Sequence, residues 1–506
     1  MREELLEIEL GKVFNITYGK GLPTSKLTKE GFPVFGANGI IGHYTEYKYE
    51  EKQVLISCRG AASGKINISP EKCFITNNSL VVESNNELMH KKFLYFILSG
   101  ANRSKIVTGS AQPQVTINNA NTLLIKLAPL PIQRAIVSKI EALFSDLDNG
   151  IANFKTAQEQ LKIYRQAVLK KAFEGELTKE WREKQTHLPT AVELLKQIKE
   201  ERQNHYNQQI EDWKKAVKEW EKGGKKGKKP SKPRKLKELS PFSEDELNEF
   251  AQLPKNWIWS KVDKIIDHNT HSIKAGPFGS SLKKSFYVET GYKIYGQEQV
   301  ISGNHKYGDY YVNEKKFLEL ISCAIKPKDA LISLVGTVGK VLILPDDCEQ
   351  GIINPRLIKI SFNNFYSPTF FKYYFESAYL KSLYAHKSHG ATMDIITLGI
   401  IQELPFPLFS LQEQTQIVQE IESRLSVCDK MEQSITESIE KAEALRQSIL
   451  KKAFEGKLLS EAEIAQCKQA ADYEPASELL KKIKAEKLAK EQEKKKKPSI
   501  KKKSKK

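Results

Sequence analysis

The feature that most constrains this chain is an internal repeat. AVLKKAFEGELT at residues 167–178 and SILKKAFEGKLL at 448–459 agree at eight of twelve positions, at an offset of 281. Self-similarity at a fixed offset marks a duplicated structural unit. The offset also pairs Gln133 with Gln414, Thr116 with Thr397 and Gly109 with Gly390. Each copy has a helical period, with candidate seam residues at alternating spacings of four and three. The first reads Ile136, Ile140, Leu143, Leu147, Gly150, Phe154, Ala157, Leu161, Tyr164, Val168; the second reads Ile417, Ile421, Arg424, Cys428, Met431, Ile435, Ser438, Ala442, Leu445, Ile449. Such a stripe, held over more than four heptads, predicts two coiled-coil helices. Pro131 suits a first helical turn, Ser410-Leu411-Gln412-Glu413 has capping-box spacing, and Gly175 and Gly456 stand at the C-terminal stops. Helices of about 43 residues would run ~65 Å. Neither is stable with its stripe exposed, so each needs a partner, and the simplest is the other copy. The alternative is two surface helices, each packed on its own globular neighbour.

A globular segment precedes each helix, and the two segments repeat the same pattern. Gly31–Gly36 parallels Gly291–Gly296, residues 54–68 parallel 330–343, Ile75–Leu80 parallels Ile352–Leu357, and an aromatic helix at 93–96 parallels 370–373. Framework positions agree while loops differ. Two domains with one scaffold and two ligands would look like this, and so would drift after duplication.

The formal charge of +18 invites a nucleic-acid reading. Residues 222–237 and 494–506 each hold nine basic residues and no acid, which accounts for the whole excess. Their Lys/Gly/Pro composition predicts a flexible basic linker and a Lys-rich disordered tail. They are either solvated or attracted to phosphates, and deleting 494–506 tests the second option through the salt dependence of DNA binding. A hydrophobic content of 40% excludes a wholly disordered chain. No run of ~20 apolar residues is present. The acidic start MREELLEIEL is unlike a secretory signal. Six cysteines without a CxxC pair argue against a disulfide framework or zinc ribbon. The expectation is a cytoplasmic protein with no metal site.

Catalytic signatures are missing. Gly336-Thr337-Val338-Gly339-Lys340-Val341 fails as a phosphate-binding loop, because Leu334 stands where Gly is needed and Val341 where Ser or Thr would hold magnesium. The pairs His268/His271 and His386/His389 lack further Cys or His ligands. The chain reads as non-catalytic.

The tandem plan, the LKKAFEGEL and LKKAFEGKL helix ends, the LPKNWIWSKV opening at 253–262, and residues 180–204 followed by a Lys-rich linker together resemble the specificity subunit of type I restriction–modification systems. One departure is the entry Pro129-Leu130-Pro131-Ile132-Gln133, without the acidic residue often found before that glutamine. The resemblance implies an α+β fold: two tandem mixed α/β target-recognition domains, separated and joined by two long antiparallel coiled-coil helices in pseudo-two-fold arrangement. Its boundaries would be recognition domain 1 at 1–130, first long helix at 131–178, charged helix and basic linker at 179–255, recognition domain 2 at 256–409, second long helix at 410–459 and tail at 460–506.

It also implies partners: double-stranded DNA, two methyltransferase subunits docked on the helices, and restriction/translocase subunits. S-adenosylmethionine, ATP and magnesium would belong to those partners, and the assembled complex would be an adenine methyltransferase and ATP-dependent endonuclease. A coiled-coil scaffold whose globular copies bind protein is the rival reading.

For base reading, Arg suits guanine and Asn or Gln suits adenine. The candidates are Arg59, Lys65, Gln112 and Gln114 in the first domain, and Lys274, Lys340, Arg356 and His389 in the second. Each could instead be a solvated loop residue.

Overall fold

The computed structural model describes residues 4–85, 87–109, 111–335, 337–385 and 396–496. It resolves into two units: residues 1–157 with 434–506, and residues 158–433. The division falls inside both repeated helices, Leu130–Phe173 and Leu411–Phe454, each of 44 residues.

In the first unit a four-stranded antiparallel sheet runs in the order Asn15–Tyr18, Ser79–Glu83, Val54–Ser57, Ile66–Ile68. A second sheet places Phe32–Phe35 between Ile40–Tyr44 and a parallel partner, Phe74–Ile75. Leu6–Glu9 pairs with Leu124–Leu127 to close the domain ahead of the long helix.

The second unit repeats the plan. Ile273–Ala275, Leu357–Ile360, Ala330–Ser333 and Val341–Ile343 make the antiparallel sheet. Tyr292–Tyr295 pairs in parallel with Gly351–Ile353, and Ile258–Ser260 closes on Phe406–Leu408. The central strands Val54–Ser57 and Ala330–Ser333 are buried along their whole length, as continuous apolar runs require. Gly31 and Gly291 each precede the parallel strand with positive φ. An added Cβ would sit 2.5 Å from the Tyr44 carbonyl in one and 2.4 Å from the Val312 carbonyl in the other.

The joints between each domain and its long helix use the residues of the repeat. Buried Gln133 donates to the Ala128 carbonyl (2.8 Å) and accepts from the His90 amide (2.9 Å), which starts the helix Lys91–Gly100. Gln414 likewise donates to the Phe409 carbonyl (2.9 Å) and accepts from the Ser367 amide (2.7 Å), just ahead of the helix Pro368–Phe375. Thr116 and Thr397 cap equivalent short helices, each accepting an amide at 3.2 Å. Gly175 and Gly456 take left-handed φ of 73° and 70° at the helix stops.

Within each unit the long-helix segments run antiparallel. In the first, Arg446 lies over the Phe144 ring and pairs with Asp148, while Lys126, ahead of the first helix, stands over Phe454 at the end of the second. In the second, Arg165 reaches Asp429 (2.7 Å) and Glu432 (3.0 Å), and Thr178 meets Glu413 at the other end. Ile136, Ile140, Leu161, Ile417, Ile421, Ile435 and Ile449 are buried, and Leu143, Leu147 and Phe154 are half-buried. Leu445 stands 48% exposed, because its neighbour Arg446 takes the inward place over Phe144.

The two joints differ in polarity. Glu413 is 2% exposed and accepts from Thr178 Oγ1 (2.8 Å), Arg182 Nε (2.7 Å) and Trp257 Nε1 (3.0 Å). Ser410 therefore caps the Glu413 amide, but the carboxylate is spent elsewhere and no reciprocal capping box closes. At the matching places the first unit has Ile132 and Leu459, both buried, so the absent acid there belongs to an apolar version of the same joint.

Residues 460–496 complete the first unit. The helix Ala476–Lys496 buries Leu479 and Ile483 in that core, as the helix Ala191–Lys222 buries Leu194 and Ile198 in the second unit. Their sequences, Glu478-Leu479-Leu480-Lys481-Lys482-Ile483-Lys484 and Glu193-Leu194-Leu195-Lys196-Gln197-Ile198-Lys199, are a further copy at offset 285. Lys139–Glu463 (2.7 Å), Arg134–Asp472 (2.7 Å) and Lys468–Glu4 (2.5 Å) hold the segment in place. Among the described residues no helix is long and apolar enough to cross a membrane.

Candidate nucleic-acid interface

In the first unit the strand Val54–Ser57 ends in a loop carrying Arg59 and Lys65. A backbone bridge joins Arg59 to Gln114, and Gly60 donates to the Pro113 carbonyl (3.1 Å). Ser63 Oγ adds a second bond to that carbonyl (2.6 Å). The four candidates Arg59, Lys65, Gln112 and Gln114 therefore share one loop surface. Their side chains are exposed, with no side-chain partner among the described residues.

Beside them a concavity of about 540 Å³ is lined by Ser63, Gly64, Lys65, Asn102, Arg103 and Ser104. Arg103 donates to the Gly64 carbonyl (3.2 Å), and burial pushes its pKa down. Sequence reasoning passed over Arg103. Its signal was the Asn102 cap, which accepts from the Ser104 amide and hydroxyl (3.3 and 2.7 Å) and fixes that turn.

In the second unit the corresponding strand end is Ser333, and the loops after it form a polar fork. Gln297 Nε2 donates to Ser333 Oγ (2.8 Å) and to the Val335 carbonyl, while Gln297 Oε1 accepts from Arg356 Nη1 (3.4 Å). Arg356 is exposed and held at its backbone by Asn354 Oδ1 (2.9 Å) and the Leu334 amide (3.1 Å). A planar guanidinium anchored this way can offer two donors to one base edge. Lys340, on the neighbouring turn, is exposed and lies 3.9 Å from Glu376, which also accepts the Val341 amide (2.9 Å). Gln297 was missed, since nothing in the sequence links it to Ser333 or Arg356.

Gly276 permits a further loop to approach: an added Cβ would lie 1.8 Å from the Asn354 carbonyl. The loop beyond it lifts Phe278 into solvent, 87% exposed. Lys274 lies on the outer strand of the same sheet, opposite Lys359, away from the fork. His389, the adjacent Gly390 that is the repeat-mate of Gly109, and Gly336 of the glycine-rich loop fall outside the described residues, as do residues 497–506 of the basic tail.

The same strand end thus carries different side chains in each unit, as two readers built on one frame would require. A model for the type I restriction modification DNA specificity domain matches residues 3–154 and 278–441. The chain belongs to that family. Two specificity subunits from Escherichia coli, of the type I restriction enzymes EcoDI and EcoBI, are similar over nearly the full length. The first is 23% identical, covering 95% of both chains; the second is 22% identical, covering 97% of this chain and 94% of the relative.

Among solved structures, a chain from work on complex assembly and conformational transition of the type I R-M system matches with TM-score 0.58 and 18% identity, covering 90% of this chain and 98% of that one. The HsdS subunit from Thermoanaerobacter tengcongensis matches with TM-score 0.50 and 19% identity, covering 90% and 97%. These likenesses bear out the tandem mixed α/β fold with two long helices. The protein is a type I restriction–modification specificity subunit.

Proposed function

We propose that this specificity subunit binds a bipartite, asymmetric DNA site, one half per recognition domain, and docks methyltransferase subunits through its long helices. The observation that carries the reading is the repeated strand end, Val54–Ser57 in one unit and Ala330–Ser333 in the other: the loops around it present Arg59, Lys65, Gln112 and Gln114 in the first and Gln297, Lys340 and Arg356 in the second. A self-complementary reader would need the same side chains twice; different ones call for a split, non-palindromic site. Exposed Ile163 and Tyr164 on the first helix, and Val427 and Met431 on the second, offer apolar surface to a protein partner in the second unit.

In this reading the chain does no chemistry. Methyl transfer to adenine, with S-adenosylmethionine, and ATP- and magnesium-dependent translocation and cleavage belong to partner subunits in the cytoplasm. The test is to map methylated adenines genome-wide with and without the gene, and after exchanging residues 1–130 for another member's first domain. Loss of one bipartite motif on deletion, and a change in only one of its halves on exchange, is the expected result. An unchanged methylation map, with the purified methyltransferase complex failing to shift any duplex, leaves only the protein-binding scaffold.

A further inference from the structure

Composition alone expects residues 222–237 to trail freely, yet the structure ties them down. Left-handed φ at Gly224, Lys225 and Gly227 reverses the chain after the helix Ala191–Lys222. The returning segment is then fastened to that helix: Trp220 Nε1 donates to the Gly227 carbonyl (3.2 Å), Trp213 Nε1 donates to the Pro230 carbonyl (3.0 Å), and Lys235 bonds Gln203 (2.8 Å). Leu236 and Leu239 pack on the core of the second unit.

The result is a groove of about 950 Å³, with Lys232, Arg234 and Lys237 on one wall and His271 and Lys274 on the other. Among the described residues none of these four lysine and arginine side chains has an ion pair. One acid, Asp263, lines the groove, but it is buried and pairs with Lys264 (2.9 Å) and the Leu239 amide (3.3 Å); Glu238 (3.8 Å) also meets Lys264, and Glu403 (2.8 Å) meets Lys261. Four cations without ion pairs against one buried acid leave the cleft with a positive potential that favours a polyanion. Burial, then Lys274 and Lys359, holds the His271 pKa below its usual value, consistent with that field.

We propose that this groove is a clamp for the sugar–phosphate backbone of the DNA flanking the second half-site. The inference rests on the DNA-reading role given above. Duplex DNA fits better than an acidic protein segment because one wall of the groove, at Lys274, lies on the sheet that carries Arg356. Gly276 donates to the Leu357 carbonyl (2.9 Å) and Lys274 lies opposite Lys359, so Arg356 follows three strand positions along, roughly 10 Å away. A duplex carries one charge per ~1.7 Å of axis, so a backbone contacted at Arg356 has further phosphates within the ~10 Å that separate it from the groove.

The experiment uses the full chain assembled with its methyltransferase subunits. Salt titrations of DNA affinity compare the parent with K232Q/R234Q/K237Q on two duplexes, one with a long flank beyond the second half-site and one trimmed to the site. On the long duplex the salt slope should fall by about 2–3, at up to ~0.9 per phosphate contact; on the trimmed duplex parent and variant should agree. K274Q, on the opposite wall and within a folded strand, should lower the slope by about 1 on the long duplex only. The proposal is overturned if both variants keep the parental slope. It is also overturned if the loss persists on trimmed DNA, or if DNA binding holds while methyltransferase subunits no longer co-purify. Failure of the parent complex to bind either duplex would instead remove the DNA-reading role itself.

Discussion

Replacing Glu413 with alanine tests how the second unit is joined to its long helix. The carboxylate is the shared acceptor for Arg182, Thr178 and Trp257 at 2.7–3.0 Å in a nearly solvent-free site. Its loss strands a mostly buried guanidinium, at a cost of about 3–5 kcal/mol, and leaves a hydroxyl and an indole N–H short of an acceptor at ~1–3 kcal/mol each. Arg182 keeps the Gly175 carbonyl (2.6 Å) and its place over the Trp257 ring, so these costs overlap, and a total of about 3–5 kcal/mol is expected.

All five tryptophans (Trp181, Trp213, Trp220, Trp257, Trp259) lie between residues 158 and 433, so tryptophan fluorescence, excited selectively over tyrosine, reports unfolding of the second unit alone. With a urea slope of about 3 kcal/mol/M, the midpoint should drop by about 1–2 M. A double-mutant cycle with R182A should show coupling of about 1–3 kcal/mol. The triple variant E413I/T178L/R182M, which copies Ile132 and Leu459 of the first unit and removes the guanidinium left unpaired, should recover the part of the loss due to Arg182 and Thr178 but not that of the Trp257 N–H, since a well-packed apolar replacement of a buried ion pair is often neutral or better. A midpoint drop below about 0.3 M for E413A, or no recovery in the triple variant, would refute this account.

Leu479→Ala and Ile483→Ala should each cost the first unit about 2–4 kcal/mol, seen as faster amide exchange across Leu10–Val13 with tryptophan fluorescence unchanged. Acid should release the segment 460–496. Hydrogen bonding from Lys139, then from Ser460, holds Glu463 at about 2 against 4.5, and the bonds from Lys468 and Tyr473 hold Glu4 below 4.5. Both pKa values are depressed on folding, so their stabilisation is full above pH 4.5 and fades as pH falls toward 2; limited proteolysis across that window reads it, and E463Q should flatten the dependence. Arg356→Ala should relax preference in one half-site by about 1–3 kcal/mol, while Lys65→Ala and Lys340→Ala should weaken all sequences alike in competition binding.

The helices were legible because a period of four and three over so many turns has no other reading, and because the repeat fixed their ends at Gly175 and Gly456. The seam was less so. Met431 and Leu445 satisfy the period yet stand about half exposed, since periodicity does not reveal which of two adjacent residues faces the partner. Sheet order was hidden, because pairing Tyr292–Tyr295 with Gly351–Ile353 depends on contacts distant in sequence. The copy at 478–484 escaped notice because the offset slips from 281 to 285 before it. In the linker, composition outweighed the two tryptophans that pin it. Arg59, Lys65, Gln112 and Gln114 were identified singly, and only the bridge between Arg59 and Gln114 puts them on one surface.

The make-up of the first unit has a consequence for biosynthesis. Its core needs Ile449, Leu450, Ala453, Leu479 and Ile483, which leave the ribosome long after residue 157. At about 5–20 residues per second the N-terminal domain would wait roughly 20–70 s with that face uncovered, while residues 158–433, contiguous in the chain, can finish first. Maturation would therefore proceed from the middle outward, and the first-made domain would be the last to become native.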